Sequence, residues 1–183
     1  MRKSTRILLL GTSAGIAATA AAAYGLIVRP WHLRWGATRE ELTAPMPFDE
    51  LIRKANYFAT RAITIDATPD EVWPFVIDAS ALPPGTAIRH LEEKRCVVFA
   101  PPEIEAEATW VVTLEARGTG TRLVSRNRAR FARRLSAVLR YLMVDPGQFV
   151  VERNWMLSIQ AHAEELSRTL RLQDQVQVPE LVP

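Results

Sequence analysis

Residues 145–170, DPGQFVVERNWMLSIQAHAEELSRTL, carry the fullest helix signal in the chain. Asp145 suits a cap, Pro146 suits the first turn, and Gln148 sits where a capping-box partner belongs. Phe149, Met156, Ile159, Ala163, Leu166 and Leu170 recur at helical spacing and make one apolar stripe. Glu152, Arg153, Gln160, Glu164 and Arg168 fall largely elsewhere. A long, one-sided helix ending a chain otherwise rich in strand patterns needs a sheet to lie on.

The preceding residues supply that sheet. RAITID (61–66) alternates Ile63 and Ile65 against polar neighbours, as a strand does. Thr68-Pro69-Asp70-Glu71 is a capping box with proline at the first helical position. The helix it opens, through Val72, Trp73 and Phe75, bends or stops near Pro74, which lacks a donor. ALPPG (81–85) is a loop. Residues 86–91 and 95–100 predict a hairpin, and 107–115 a strand with Trp110, Val112 and Leu114 on one face. A turn at 117–120 leads into the last strand, 121–130. Period two there puts Arg122, Val124, Arg126, Arg128 and Arg130 on one face, and Leu123, Ser125, Asn127 and Ala129 on the other. Residues 131–143 predict a second amphipathic helix, with Arg133, Arg134 and Arg140 opposite its apolar side.

The chain has 183 residues and a formal charge of +3, enough for one ordinary domain and an appendage. Its single cysteine, Cys96, excludes an intrachain disulfide; in the apolar run CVVFA it reads as a buried structural thiol. Arg2, Lys3 and Arg6 precede residues 7–28, which contain no charged side chain. At about 1.5 Å per residue this run spans roughly 33 Å, the thickness of a bilayer's hydrocarbon core. Tyr24, Trp31 and Trp35 lie at its far end, where aromatic side chains favour the lipid–water boundary. The rival reading is a cleaved signal peptide with small-residue sites at 18–23. Apolar character continues past those sites through Leu26, Ile27 and Val28, which favours an uncleaved anchor. Charge on the two sides is nearly balanced. A short cationic tail is awkward to translocate, which places the domain outside the cytoplasm.

The expected organisation is a transmembrane anchor (1–28), a proline-containing juxtamembrane tether (29–59) with one short helix near 39–43, a folded domain (60–171) and a frayed tail (172–183). The order of strand, capped TPDEVW helix, antiparallel strands and long C-terminal helix resembles the START-like helix-grip fold. Four segments, RPWHLRWGAT (29–38), RAITIDATPDEVWPFV (61–76), TRLVSRNRARF (121–131) and DPGQFVVERNWMLSI (145–159), resemble the SRPBCC superfamily and its bacterial polyketide cyclase/dehydrase-like proteins. The resemblance implies an α+β fold in which a curved antiparallel sheet grips the C-terminal helix around an apolar cavity, here preceded by a transmembrane helix. Members of that superfamily bind or transfer hydrophobic ligands, and a few are enzymes. Relatives of this type carry a Gly- and aromatic-rich segment with a second helix and further strands after the first helix. Here Ile77 passes through DASALPPG straight to Thr86, so the chain is shortened where a cavity wall would be.

No paired metal-ligand motif, nucleophile elbow, phosphate-binding glycine loop or dinucleotide fingerprint occurs in the sequence. No metal, cofactor or catalytic residue is therefore expected. His32, His90 and His162 are scattered, and Glu152 is the nearest candidate for acid–base work. The simpler account pairs it with an arginine such as Arg130, or lets it reach solvent. The arginines at 126–140 suit a solvated face or anionic lipid, and without interleaved aromatic residues they argue against nucleic acid. The sequence points to no protein partner. Fold and periodicity propose a cavity lined by Trp110, Val112, Ser125, Asn127, Ala129, Phe149, Glu152, Met156 and Ile159. They also propose a membrane-facing set of Tyr24, Trp31, Trp35, Arg126, Arg128, Arg130, Arg133, Arg134 and Arg140. The function so read is non-catalytic binding of a hydrophobic small molecule or lipid. The alternatives are a membrane-tethered interaction module without a cavity and a cyclase-like enzyme.

Overall fold

The structure is a computed structural model that describes residues 19, 22–82, 86–100, 107–131 and 135–176; side chains at 100 and 135–144 are outside the description. It forms two compact units, Met1–Leu33 and Arg34–Pro183. In the first, a π-helical turn (Tyr24–Val28) leads into α1 (Arg29–Leu33), with Tyr24 Oη 3.3 Å from His32 Nε2. No helix among the described residues is long and apolar enough to cross a membrane. Most of the span expected at 7–28 lies outside them.

The second unit is built on one antiparallel sheet of five strands, β1 (Tyr57–Ile65), β2 (Ala87–Glu92), β3 (Cys96–Ala100), β4 (Glu107–Arg117) and β5 (Gly120–Arg130), in the order β1-β5-β4-β3-β2. Two short helices precede or interrupt it. Both α2 (Arg39–Thr43) and α3 (Pro69–Val76) start with a closed capping box, Thr38 with Glu41 and Thr68 with Glu71. α4 (Leu135–Val176) crosses one face of the sheet. Ile63 and Ile65 of β1, Val97 and Phe99 of β3, Trp110, Val112 and Leu114 of β4 and Leu123 of β5 meet Trp155, Met156, Ile159 and Ala163 of α4 there. Val72, Trp73 and Val76 of α3 complete this core.

Four expectations are corrected. The helices read separately at 131–143 and 145–170 are one helix of 42 residues with Pro146 inside it. Proline forfeits one helical hydrogen bond, and the residues before it, LSAVLRYLMV, are mostly good helix formers, so the helix runs through. Asp145 consequently caps nothing; its carboxylate accepts from Tyr57 Oη at 3.3 Å. The tail expected from 172 is helical to Val176, with 177–183 outside the described residues. Leu170, read as part of the apolar stripe, is exposed, as is Leu172.

The fourth correction concerns residues 34–53, read as a tether and found packed on the second unit. Trp35 O accepts from Ala62 N at 3.0 Å, on the free edge of β1. Gly36 turns with φ +71, so close to that edge that a Cβ would stand 2.0 Å from Ala62 O. The chain then passes behind the sheet through α2 and a 3-10 turn (Asp49–Ile52). Met46 and Phe48 cover Cys96, Val98 and Val111 there. Burial pushes the Cys96 thiol up to about 11.

The candidate ligand site between sheet and helix

The alternation in β1 that points Ile63 and Ile65 at α4 also points Arg61 there. An arginine in that position requires a partner, and α4 supplies Glu152. Arg61 Nη1 donates to Glu152 Oε2 at 2.5 Å, and both side chains are almost wholly buried. Asn127 Nδ2 donates to the same oxygen at 2.8 Å. Ser125 Oγ donates to Oε1 at 2.6 Å and accepts from Trp110 Nε1 at 2.7 Å. Both carboxylate oxygens are thus engaged by three donors on two strands. The arrangement holds the Glu152 carboxylate in one fixed position, with both oxygens already occupied by the protein's own donors.

Apolar groups border this polar centre on both sides. Phe149, one helical turn before Glu152, lies 5.3 Å from the Arg61 guanidinium carbon and meets Trp35 edge-on at 6.2 Å between centroids. Arg153 lies 5.1 Å from the Trp35 ring. Past Glu152, Phe99, Trp110 and Trp155 pack with centroids 4.7, 4.9 and 6.2 Å apart. Trp155 Nε1 is buried with no hydrogen-bond partner among the described residues. Among the described residues, no group of His, Cys, Asp or Glu could hold a metal ion.

Trp110, Val112, Ser125, Asn127, Ala129, Phe149, Glu152, Met156 and Ile159 therefore come together on the facing surfaces of sheet and helix, all of them buried except the partly exposed Asn127. Arg61, Trp155 and Tyr57 belong with them and are missing from the sequence-derived set. Arg61 carries a usable signal: it shares strand parity with two core isoleucines. Trp155 lies one turn after Glu152, so the two share a helix face. Arg130, the partner anticipated for Glu152, sits on the other face, 3.7 Å from Glu107.

The arginine face differs from the surface expected of it. Arg122 grips Glu41 with a two-point fork, Nε to Oε1 at 2.7 Å and Nη2 to Oε2 at 2.8 Å, and reaches Thr64 and Gly36 O. Arg126 donates to Thr60, Ala44 O, Asp49 and Glu41 O. Arg128 reaches Ile52 O and Asp49 and lies 5.0 Å from the Phe58 ring. These groups bind residues 36–52, so Arg126 and Arg128 are turned inward and do not form a membrane-facing surface. Trp35 is likewise packed against the core cluster. Arg130 and Trp31 are exposed, while Tyr24 is partly buried beside His32. Arg133 and Arg134 lie outside the described residues, as does the side chain of Arg140.

A sheet of this order with one long C-terminal helix across its face defines a helix-grip domain of the α+β class. No family model and no curated protein matches the chain in sequence. Among solved structures it is similar to a Thermus thermophilus protein (TM-score 0.46, 11% identity, covering 61% of this chain and 99% of that one). It is similar also to the Aha1 dimer of Colwellia psychrerythraea (0.44, 11%, 59% and 96%) and to a polyketide-cyclase-like protein of Corynebacterium glutamicum (0.34, 13%, 67% and 96%). Polyketide-cyclase-like proteins, which the four sequence segments resemble, are thus among its structural neighbours.

Proposed function

We propose that this protein is a membrane-anchored helix-grip domain that binds a hydrophobic small molecule or lipid without transforming it. The supporting observation is the engaged carboxylate of Glu152. It sits among Phe149, Met156 and Trp110 as a fixed polar point in an otherwise apolar interface, the composition typical of small-molecule sites. Its three donors also favour binding over acid–base chemistry. The anchor rests on the uncharged run at 7–28, with the domain on the extracytoplasmic side. Mass spectrometry of apolar compounds carried by the gently purified full chain tests the binding role. A near-stoichiometric compound, lost in an Ala129→Trp variant that remains folded, is the expected result. Retention of the chain in membranes after alkaline carbonate extraction tests the anchor.

A second reading, an interaction module without a cavity, is favoured by one observation. Phe99, Trp110 and Trp155 fill the space between sheet and helix with their own rings. A folded full chain that carries no compound and leaves a fluorescent fatty acid unbound would favour it.

A further inference from the structure

The segment 34–53 clasps the sheet from both sides. Trp35 lies on the helix side against Phe149, Gly36 rounds the β1 edge, and Glu41 and Asp49 are held behind the sheet. Internally it holds only a one-turn helix and a 3-10 turn, too short to be stable alone. Its attachment is chiefly polar: three arginines against two carboxylates and the carbonyls of Gly36, Ala44, Glu41 and Ile52. Undocking returns those ions to water, so the Coulomb attraction lost is largely offset by hydration regained. Segments with few apolar contacts open at lower free energy than the core they cover. The apolar part of the attachment is Met46 and Phe48 on Cys96, Val98 and Val111, the buried Ile52, and Trp35 at the near end against Phe149.

We propose that residues 34–53 are a releasable latch that opens while the sheet and α4 stay folded. Opening uncovers the Trp35–Phe149 side of the interface and thereby controls ligand access to it. The control of access rests on the ligand-binding reading above; the opening itself does not. The latch follows directly in sequence on the N-terminal unit, so whatever acts on residues 1–33 is one peptide bond from Arg34.

Cys96, the chain's one thiol, lies beneath the latch and reports its opening. The test is the rate of Cys96 labelling by 5,5′-dithiobis(2-nitrobenzoate) in the full chain, in low urea, beside the global unfolding curve. The expected result is labelling with almost no urea dependence, faster than global unfolding permits. Replacing both Glu41→Gln and Asp49→Asn should raise it tenfold or more, and the association rate of cis-parinaric acid should rise in parallel. Labelling that follows global unfolding alone, in wild type and variant, overturns the latch. Faster labelling with unchanged probe association overturns its control of access. Faster labelling with no probe binding in either protein rejects the ligand reading, and access control with it, while confirming that the latch opens.

Discussion

Arg61 in β1 and Glu152 in α4 form a buried ion pair, Nη1 to Oε2 at 2.5 Å, between residues 91 apart in the sequence. The pair joins the edge strand to the long helix that crosses the sheet face, and Ser125 and Asn127 of β5 complete it. Removing one member leaves the other charged in an apolar interface, which typically costs about 3–5 kcal/mol. Glu152→Leu should therefore lower stability by about that amount, while adding Arg61→Leu to it recovers most of the loss. Urea denaturation of the four proteins of this cycle measures the coupling.

Gly36 is the one position where the latch meets the sheet backbone without room for a side chain. Its left-handed φ adds to the collision a Cβ would make with Ala62 O. Gly36→Ala should undock the latch, raising Cys96 labelling several-fold and removing the exchange protection of the Ala62 amide. Hydrogen exchange resolved at β1 reads both ends of that contact.

A chain starting at residue 56 keeps the sheet and α4 but loses every partner that residues 36–52 give to Arg122, Arg126 and Arg128. It also bares the β1 edge, and uncovered edges pair with other chains. Such a chain should retain native-like circular dichroism, self-associate on size exclusion, and label at Cys96 as fast as a free thiol. A chain starting at residue 34 should show neither defect.

Acidification should release the latch before it unfolds the core. The Arg122 fork is the main cause holding the Glu41 carboxyl below the ordinary glutamate range, helped by the Thr38 amide and opposed by partial burial. A carboxyl depressed in the folded state stabilises it fully above its unfolded pKa. That contribution is lost as pH falls through the folded value. The pH dependence of hydrogen exchange at 38–44 should show loss of protection below the ordinary glutamate range. Glu41→Gln should abolish that step.

Much of the fold is legible in the chain. The Thr68 box, the turn before Gly120 and the period-two pattern of 121–130 each depend on residues within a few positions, and the structure repeats them almost residue for residue. Thr38-Arg39-Glu40-Glu41 carries the same box pattern and marks α2 in the same way. The residues of β4 and β5 that face α4 follow from strand parity. Arg61 shares parity with Ile63 and Ile65, a signal that the sequence-derived set leaves unused.

The assignment of the arginine face does not follow from any local pattern. Arg122, Arg126 and Arg128 alternate as a solvated strand face would, and residues 34–53, with their prolines and mixed charge, read as a linker. Each looks water-seeking alone. Brought together they neutralise and hydrogen-bond one another, and the arginine side chains lose most of their contact with water. The continuity of α4 through Pro146 is not fixed locally either: a proline can open a helix or sit within one, and here it sits within one.

The sequence by itself determined the strands, the Thr68 capping box and most of the apolar stripe of the last helix, because those depend on near neighbours in the chain. Only the tertiary structure decided that Glu152 belongs to Arg61, that the arginines face inward, and that residues 34–53 are part of the domain. Those facts are pairings of charges 77 to 91 residues apart, and a charge shows its partner only when the chain has folded to bring the two within reach.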